Sequence, residues 1–417
     1  MRFFTFLIAL FACVHLSAQI PQNGLVAYYS CDNCDAMTDM DNPLLIDDSG
    51  NNSNGIISGN PTCECGVLGN AIKLDGFDDH VIFLGTINNF FDKRDFSLSF
   101  YFKPTDQSST KDIFSRRTAC DNEQVFAVRY TPMSSLVTAE LIENPSKTGT
   151  VSSQIEFGTC WQHVVVTRQG NRTVLYLNGE KKQTTTAVSR VDIENNVIFS
   201  IANSPCLGLT DSPFAGLLDE IRVYDRALDE NEVEGLYFGP DKIAEDKNIQ
   251  VYLGNTAELA TTSSCATQFK WEPDIEINQT DAPTAIISPT ESRTYRVSFI
   301  DVENGCVAFD SVTVTVIDPD DLDCAQIFLP KAFTPDEKGP EENNTYGISN
   351  PIAIEELISF EIFDRWGNRV FLTTDAYETW DGSYKGQPMN PGVLLYRVRF
   401  KCGDEELVDV GSLSIIR

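Results

Sequence analysis

The chain has 417 residues and a formal net charge of −30, from 31 lysines and arginines against 61 aspartates and glutamates. That length is too great for one small core and predicts two to four domains. An acidic surface with no lysine or arginine cluster repels nucleic acid and anionic lipid, which excludes both as partners. It suits divalent cations held by oxygen ligands, although solubility outside the cell explains the same charge.

Met1 to Ala18 carries one basic residue, Arg2, then the apolar run Phe3 to Ala12 and the small pair Ser17-Ala18 before Gln19. This is the layout of a secretory signal peptide over residues 1–18, too short to stay in a bilayer as an anchor. Cleavage is expected after Ala18 or Gln19. A lipoprotein reading, with Cys13 lipidated, is disfavoured by the Phe11 that stands in its recognition segment. No other apolar stretch approaches membrane length, so no transmembrane anchor is expected.

An exported chain keeps its cysteines crosslinked. Of the twelve cysteines, eleven lie beyond the signal segment, in local groups. Cys265 with Cys306 and Cys324 with Cys402 are the natural pairs, one per domain. Cys31, Cys34, Cys63 and Cys65 hold two bridges of open connectivity. The trio Cys120, Cys160 and Cys206 leaves one thiol over. The close spacing of the first group is also that of a zinc site, but the oxidising compartment favours disulfides.

Residues 22–239 read as short strands punctuated by Gly, Asn, Asp and Pro. Phe96, Leu98, Phe100 and Phe102 point one way and Ser97, Ser99, Tyr101 and Lys103 the other, which predicts a strand with one buried face. Asn178-Gly179 supplies a two-residue hairpin turn after Val174-Leu-Tyr-Leu177. Asp229 to Leu236 is the one helix candidate. Two antiparallel sheets packed face to face account for the pattern. The series Gly24-Leu-Val-Ala-Tyr-Tyr29, Gly69 to Val81, Asp95 to Phe102, Trp161 to Arg168 and Gly216-Leu-Leu-Asp-Glu-Ile-Arg-Val-Tyr-Asp-Arg-Ala-Leu228 resembles the laminin-G-like, concanavalin-A-like domains of bacterial surface proteins.

Asp48, Asn51 and Asn52 lie in a Gly/Asn-rich loop whose oxygens can surround a hard cation. Asp219 matches the position that, by this resemblance, gives a carboxylate to a structural calcium. Asp48, Asn51 and Asp219 are therefore the calcium candidates, with Asp78 and Asp79 behind them. The same residue types also build Asx turns and a strand cap.

From 244 to 318 the strand pattern resets. Ile249 to Leu253, Gln268 to Pro273, Thr294 to Ile300 and Asp310 to Ile317 form a small strand-rich unit, with Val312, Val314 and Val316 alternating with threonines. It resembles the polycystic-kidney-disease-like, immunoglobulin-like modules of such proteins and suits a spacer. Asp318 to Asp323 is the expected linker.

The last segment, 322–417, carries Ile327-Phe-Leu-Pro-Lys-Ala-Phe-Thr-Pro335, Phe360-Glu-Ile-Phe-Asp-Arg-Trp-Gly-Asn-Arg-Val-Phe371, Thr379-Trp-Asp-Gly382, and Pro391 to Phe400. It ends on a strand, Gly411 to Arg417. That order is similar to the gliding-motility-associated, type IX secretion sorting domain of Bacteroidota. The usual Asn-Gly-Asp-Gly turn is replaced by Thr334-Pro-Asp-Glu-Lys-Gly-Pro340, which keeps turn chemistry. The resemblance implies type IX secretion machinery as a partner.

Catalytic signals are scarce. Hydrolases on the concanavalin-A-like scaffold place two carboxylates on one strand, in a Glu-x-Asp-x-x-Glu spacing, and it is missing. Glu361 to Asp364 is spaced wrongly. Asp229, Glu230, Glu232 and Glu234 read as a solvated helix face. Only His80 and His163 survive processing, and there is no Gly-x-Ser-x-Gly and no phosphate loop. Trp161 reads as core, and Trp271, Trp366 and Trp380 as structural. The expectation is an all-β, extracellular or surface-held, non-catalytic binding protein for a glycan or protein ligand, an adhesin or capture protein. The alternatives are a carbohydrate-active enzyme with an unrecognised site and a structural surface-layer component.

Overall fold

The computed structural model describes residues 20–106, 108–193, 197–263, 265–335 and 343–416. The signal segment with Cys13, and most of the turn ending at Pro340, lie outside the described residues. Strands hold 48% of the residues and helix 6%, so the all-β expectation holds. Contacts divide the chain into two units. Unit 1 is Met1–Lys247 with Glu258–Ile287 and Thr294–Val312, and unit 2 is Asn248–Ala257 with Ser288–Arg293 and Thr313–Arg417.

Unit 1 is built on two large sheets. One runs in the order Glu180–Thr186, Arg172–Leu177, Gln162–Gln169, Phe96–Pro104, Ala215–Tyr224, Asn70–Asp75, Thr62–Cys65, with Leu25–Tyr29 also paired to Ala215–Tyr224. The other runs Lys147–Thr148, Leu136–Asn144, Val125–Thr131, Lys111–Arg116, Ser200–Ile201, His80–Phe83, Gly55–Ser58, Leu44–Leu45. Phe96, Leu98, Phe100 and Phe102 enter the core between them, where Phe100 meets Phe114 edge-on at 4.7 Å and Phe91 stacks on Phe199 at 4.4 Å. Each such ring removed from water contributes about 1.5–3 kcal/mol.

The other side of Phe96–Pro104 departs from expectation. Ser97, Ser99, Tyr101 and Lys103 are buried as well. The chain leaving Ala215–Tyr224 folds back across this face. Ser97 donates to Arg226 O at 2.8 Å, and the Tyr101 hydroxyl donates to Leu236 O at 3.0 Å while accepting from Phe238 N. Lys103 is ion-paired with Asp301, both buried within unit 1. A non-local segment supplies this cover, so period-two reading along the strand alone reports the face as solvent.

The disulfides correct the domain-by-domain pairing. Cys265 and Cys306 do not pair with each other: Cys265 bonds Cys65 and Cys306 bonds Cys160, across Cα separations of 5.7 and 5.9 Å. Cys34–Cys63 and Cys120–Cys206 complete unit 1. The physical reason is that Glu258–Ile287 and Thr294–Val312 belong to the same unit as the large sheets, so their cysteines meet the cysteines of those sheets and their loops. Cys31 is free and buried.

In unit 2, Asn248–Tyr252 pairs in parallel with residues 313–317. A five-stranded sheet runs Ala332–Phe333, Glu405–Ile415, Gly392–Cys402, Glu356–Phe363, Arg369–Thr373. One side packs on Phe333, Tyr346 and Trp380, around Phe360, Ile362, Val398 and Phe400. Cys324–Cys402 forms as expected, with Cα atoms 5.4 Å apart. The reversal at Trp366 is held by Asp364, which accepts from Trp366 N and Asn368 N at 2.8 Å each. Trp366 itself is 77% exposed and serves no core, against the structural role expected for it.

Candidate functional site

The three calcium candidates are held by three different stretches of chain. Asp48 Oδ2 accepts from Ser30 N (3.1 Å) and Ser30 Oγ (2.7 Å). The Asn51 amide donates to Val26 O at 2.9 Å. Asp219 Oδ2 accepts from Val67 N (2.7 Å) and Leu68 N (3.2 Å), and its Oδ1 from Glu220 N. Asp219 is fully buried, and burial together with the Glu220 charge pushes its carboxyl up to about 8. Carboxylates that accept backbone N–H groups act as latches for the backbone. These residues do not fit one calcium site. The loop is organised instead by buried Asp47, whose carboxylate accepts from Tyr28 N, Ser49 N, Ser49 Oγ and Ser53 N.

Among the described residues, the acidic side chains that converge within 4.8 Å are Asp75, Asp78 and Asp79. Asp79 is already committed to Asn60 N (2.6 Å) and Asp75 N (2.9 Å), the work of a turn.

Two buried polar layers flank the core of unit 1. On the first sheet, Arg222 pairs with Glu220 and lies 4.2 Å from the Tyr28 ring, whose hydroxyl donates to Glu220 at 2.7 Å. Beside it His163 Nε2 lies 2.9 Å from Ser99 Oγ, and burial, with Arg222 nearby, brings the imidazole down to about 3. On the second sheet, Arg129 binds Asp211 at 3.2 Å and also pairs with Glu140. Asp112 stands there with neither carboxylate oxygen hydrogen-bonded, and burial pushes it up to about 8. The carboxylates Asp211 and Glu140 converge on the Arg129 guanidinium, which balances their charge.

Unit 1 has open concavities elsewhere, one of about 660 Å³ walled by Lys270, Trp271, Pro273 and Thr280, and a groove on the first sheet. Two adjoining cavities, of about 580 and about 200 Å³, share Tyr176 and Glu230 in their walls. Their floor is apolar: Val174, Tyr176 and Leu228 belong to one buried cluster with Val233 and Leu236. The walls are placed by two local motifs. Asn178 and Gly179 take positive φ (50° and 80°) to close the hairpin. The Asn178 side chain anchors that turn by accepting from His163 N at 2.8 Å and donating to Gln162 Oε1 at 3.1 Å. Opposite it, Asp229 caps the helix Glu230–Gly235 in a capping box with Glu232, and Arg226 grips Glu232 through two hydrogen bonds of 2.7 and 2.6 Å.

This groove presents Asn178, Asn231, Glu234 and Tyr237 at one end and Gln169 and Arg172 at the other, with a Lys181–Glu230 pair of 2.7 Å between. The Lys181 ammonium holds the Glu230 carboxyl below its ordinary range, and Lys182 does the same to Glu180. Both are favoured in the ionised form, which accepts hydrogen bonds. Sequence reading passed over this site. Glu230 and Glu234 were legible as helix positions, but only the fold sets them beside Tyr176. A Tyr at the end of Val174-Leu-Tyr-Leu177, beside an Asn-Gly turn, was the available signal.

Residues 75–234 match the family model of the concanavalin A-like lectin/glucanases superfamily, and residues 327–415 match that of the type IX secretion signal domain. No curated protein matches the chain. Among solved structures, it is similar to domain 4 of AbnA, a GH43 extracellular arabinanase from Geobacillus stearothermophilus, in complex with arabinotriose. That likeness has 23% identity, 51% of this chain and 98% of that chain covered, and a TM-score of 0.38. It is similar to the CBM40 of a Ruminococcus gnavus IT-sialidase bound to α2,3 sialyllactose at 16% identity, covering 36% and 85% with a TM-score of 0.32. It is also similar to the receptor binding domain of botulinum neurotoxin C/D mosaic serotype at 11% identity, covering 75% of each chain with a TM-score of 0.41. Among the described residues no helix is long and apolar enough to cross a membrane.

Proposed function

We propose that this chain, exported by its type IX secretion signal domain to the medium or cell surface, is a non-catalytic protein that captures a glycan in unit 1. The observation that carries the reading is the groove between the Asn178-Gly179 turn and the helix Glu230–Gly235. It joins an apolar, tyrosine-bearing floor to amide and ionised carboxylate rims. Sugars offer that surface in reverse: C–H faces that lie on aromatic rings, and hydroxyls that donate to carboxylates and amides. The match of residues 75–234 to a superfamily of lectins and glucanases supports it.

The test is retention of the mature chain on polysaccharides and matrix proteins, in calcium and in chelator. Saturable retention on one glycan class is expected, lost on Tyr237→Ala and weakened by Glu230→Gln. Absence of retention on any polysaccharide by folded protein overturns the glycan reading. Release of new reducing ends from a retained glycan replaces capture with catalysis. Calcium-dependent retention that Asp48→Asn or Asp219→Asn removes would restore the metal that the hydrogen bonding of those residues disfavours.

A further inference from the structure

The five-stranded sheet of unit 2 has a packed side and a bare one. On the bare side Val393 and Leu395 of Gly392–Cys402, Val408 and Val410 of Glu405–Ile415, and Leu372 of Arg369–Thr373 are each 46–65% exposed. The strand registers set Leu372, Glu361, Arg397 and Val410 in one cross-strand row, with Phe363 and Leu395 adjacent. An antiparallel sheet facing water places polar residues at such positions. A contiguous apolar patch there marks a surface that something covers.

Charge selects the occupant. Glu361 accepts from Arg369 and Arg397 at 2.9 Å each, Arg399 donates to Glu406 at 2.8 Å, and Lys401 to Glu356 at 2.6 Å. Three carboxylates against four cations leave about one positive charge on a chain of −30, too little to hold an anionic lipid surface. A second copy would bring another −30 charges against the first. What remains complementary is an apolar protein surface. At one end the patch passes through Val393 into a cavity of about 210 Å³ walled by Trp366, Met389 and Pro391. Trp366, which has no core to serve, is the residue type that anchors interfaces.

The geometry points to this face, with the Trp366 cavity as its anchor, as the docking surface for a protein component of the type IX apparatus. It rests on the export assignment and adds where on the signal domain recognition falls. The DRWGN turn of the sequence thereby gains a role: its Asp364 network holds Trp366 out into solvent.

The test uses the full chain produced in a bacterium with type IX secretion and in a strain lacking the apparatus. Trp366→Ala, and Val408→Glu with Val410→Glu, are expected to lower export about tenfold or more, with periplasmic retention and unchanged melting of the purified chain. Met133→Glu, an equally exposed site in unit 1, is expected to export normally. Normal export of the folded face variants overturns the proposal while the export assignment stands. Wild-type export that survives loss of the apparatus overturns the assignment itself. A photo-crosslinker at Val410 of the otherwise native chain removes dependence on variant folding. An adduct with an apparatus protein supports the proposal, and adducts only with lipid or a second copy overturn it.

Discussion

In unit 1 the strand Phe96–Pro104 carries Ser97, Ser99 and Lys103 on its outer side, and all three are buried, whereas in unit 2 the outer side of Gly392–Cys402 carries Val393 and Leu395, and both are exposed. The first face is covered by the chain's own residues: Ser97 meets Arg226 of the return through 225–238, Ser99 meets His163, and Lys103 meets Asp301. The second has no roof. Polarity of a strand face therefore tells less about its burial than the question of which segment covers it. A covered polar face is a matter of internal architecture, and an uncovered apolar one is a matter of partners.

The comparison can be broken most forcefully at the covalent staples of unit 1. Cys160→Ser with Cys306→Ser opens a bridge of sequence separation 146 and is expected to cost about 2–5 kcal/mol in denaturant unfolding. A loss below 1 kcal/mol would mean that packing, with the remaining Cys65–Cys265 bridge, holds Thr294–Val312 in place. Comparable in size is the buried ion pair: Lys103→Met strands Asp301 and is expected to cost about 3–5 kcal/mol, with Lys103→Met/Asp301→Leu recovering most of it. Equal loss in the single and the double variant would show that shape, and not charge, matters there.

Smaller effects come from protons. His163 sits at about 3 when folded and near 6.5 unfolded, so the stability owed to its neutral form is full above pH 6.5 and lost as pH falls toward 3. Asp112 has the opposite sign. Its carboxyl, at about 8 folded and near 3.9 unfolded, favours the native state at low pH, and that advantage drains away as pH rises through 8. The stability of Asp112→Asn should vary less than the parent's between about pH 5 and 8, and the two should run parallel above pH 8. The smallest effect sharpens the contrast: Val410→Ser on the bare sheet should change stability by about 0.5 kcal/mol or less. A loss of several times that would mean the face is covered within the chain.

Much of the fold was legible from periodicity. The phenylalanines at 96, 100 and 102 named their buried side, Asn178-Gly179 named its turn, and Asp229 to Leu236 named a helix whose cap and length the structure bears out. Cover was not legible, because it comes from residues more than a hundred positions away: nothing local to Ser97 announces Arg226. The same limit misplaced Cys265 and Cys306, whose partners lie 200 and 146 residues distant, outside any locally self-contained module. It also hid the groove, since Tyr176 and Glu230 meet only after the chain has closed. Trp366 erred the other way, because tryptophan's usual burial outweighed its place at the tip of a hairpin.

The bridges also decide what a protease can do to this molecule. Cys65–Cys265, Cys120–Cys206 and Cys160–Cys306 close overlapping loops, and Cys324–Cys402 closes another. A single cut between Cys65 and Cys306, or between Cys324 and Cys402, falls inside a loop and leaves a nicked chain whose pieces stay joined. Between Cys306 and Cys324 no bridge crosses. Among the described residues, an interior cut in that stretch, or between Cys63 and Cys65 where the Cys34–Cys63 loop ends, falls outside every loop. Either one leaves two pieces with no covalent link under non-reducing conditions.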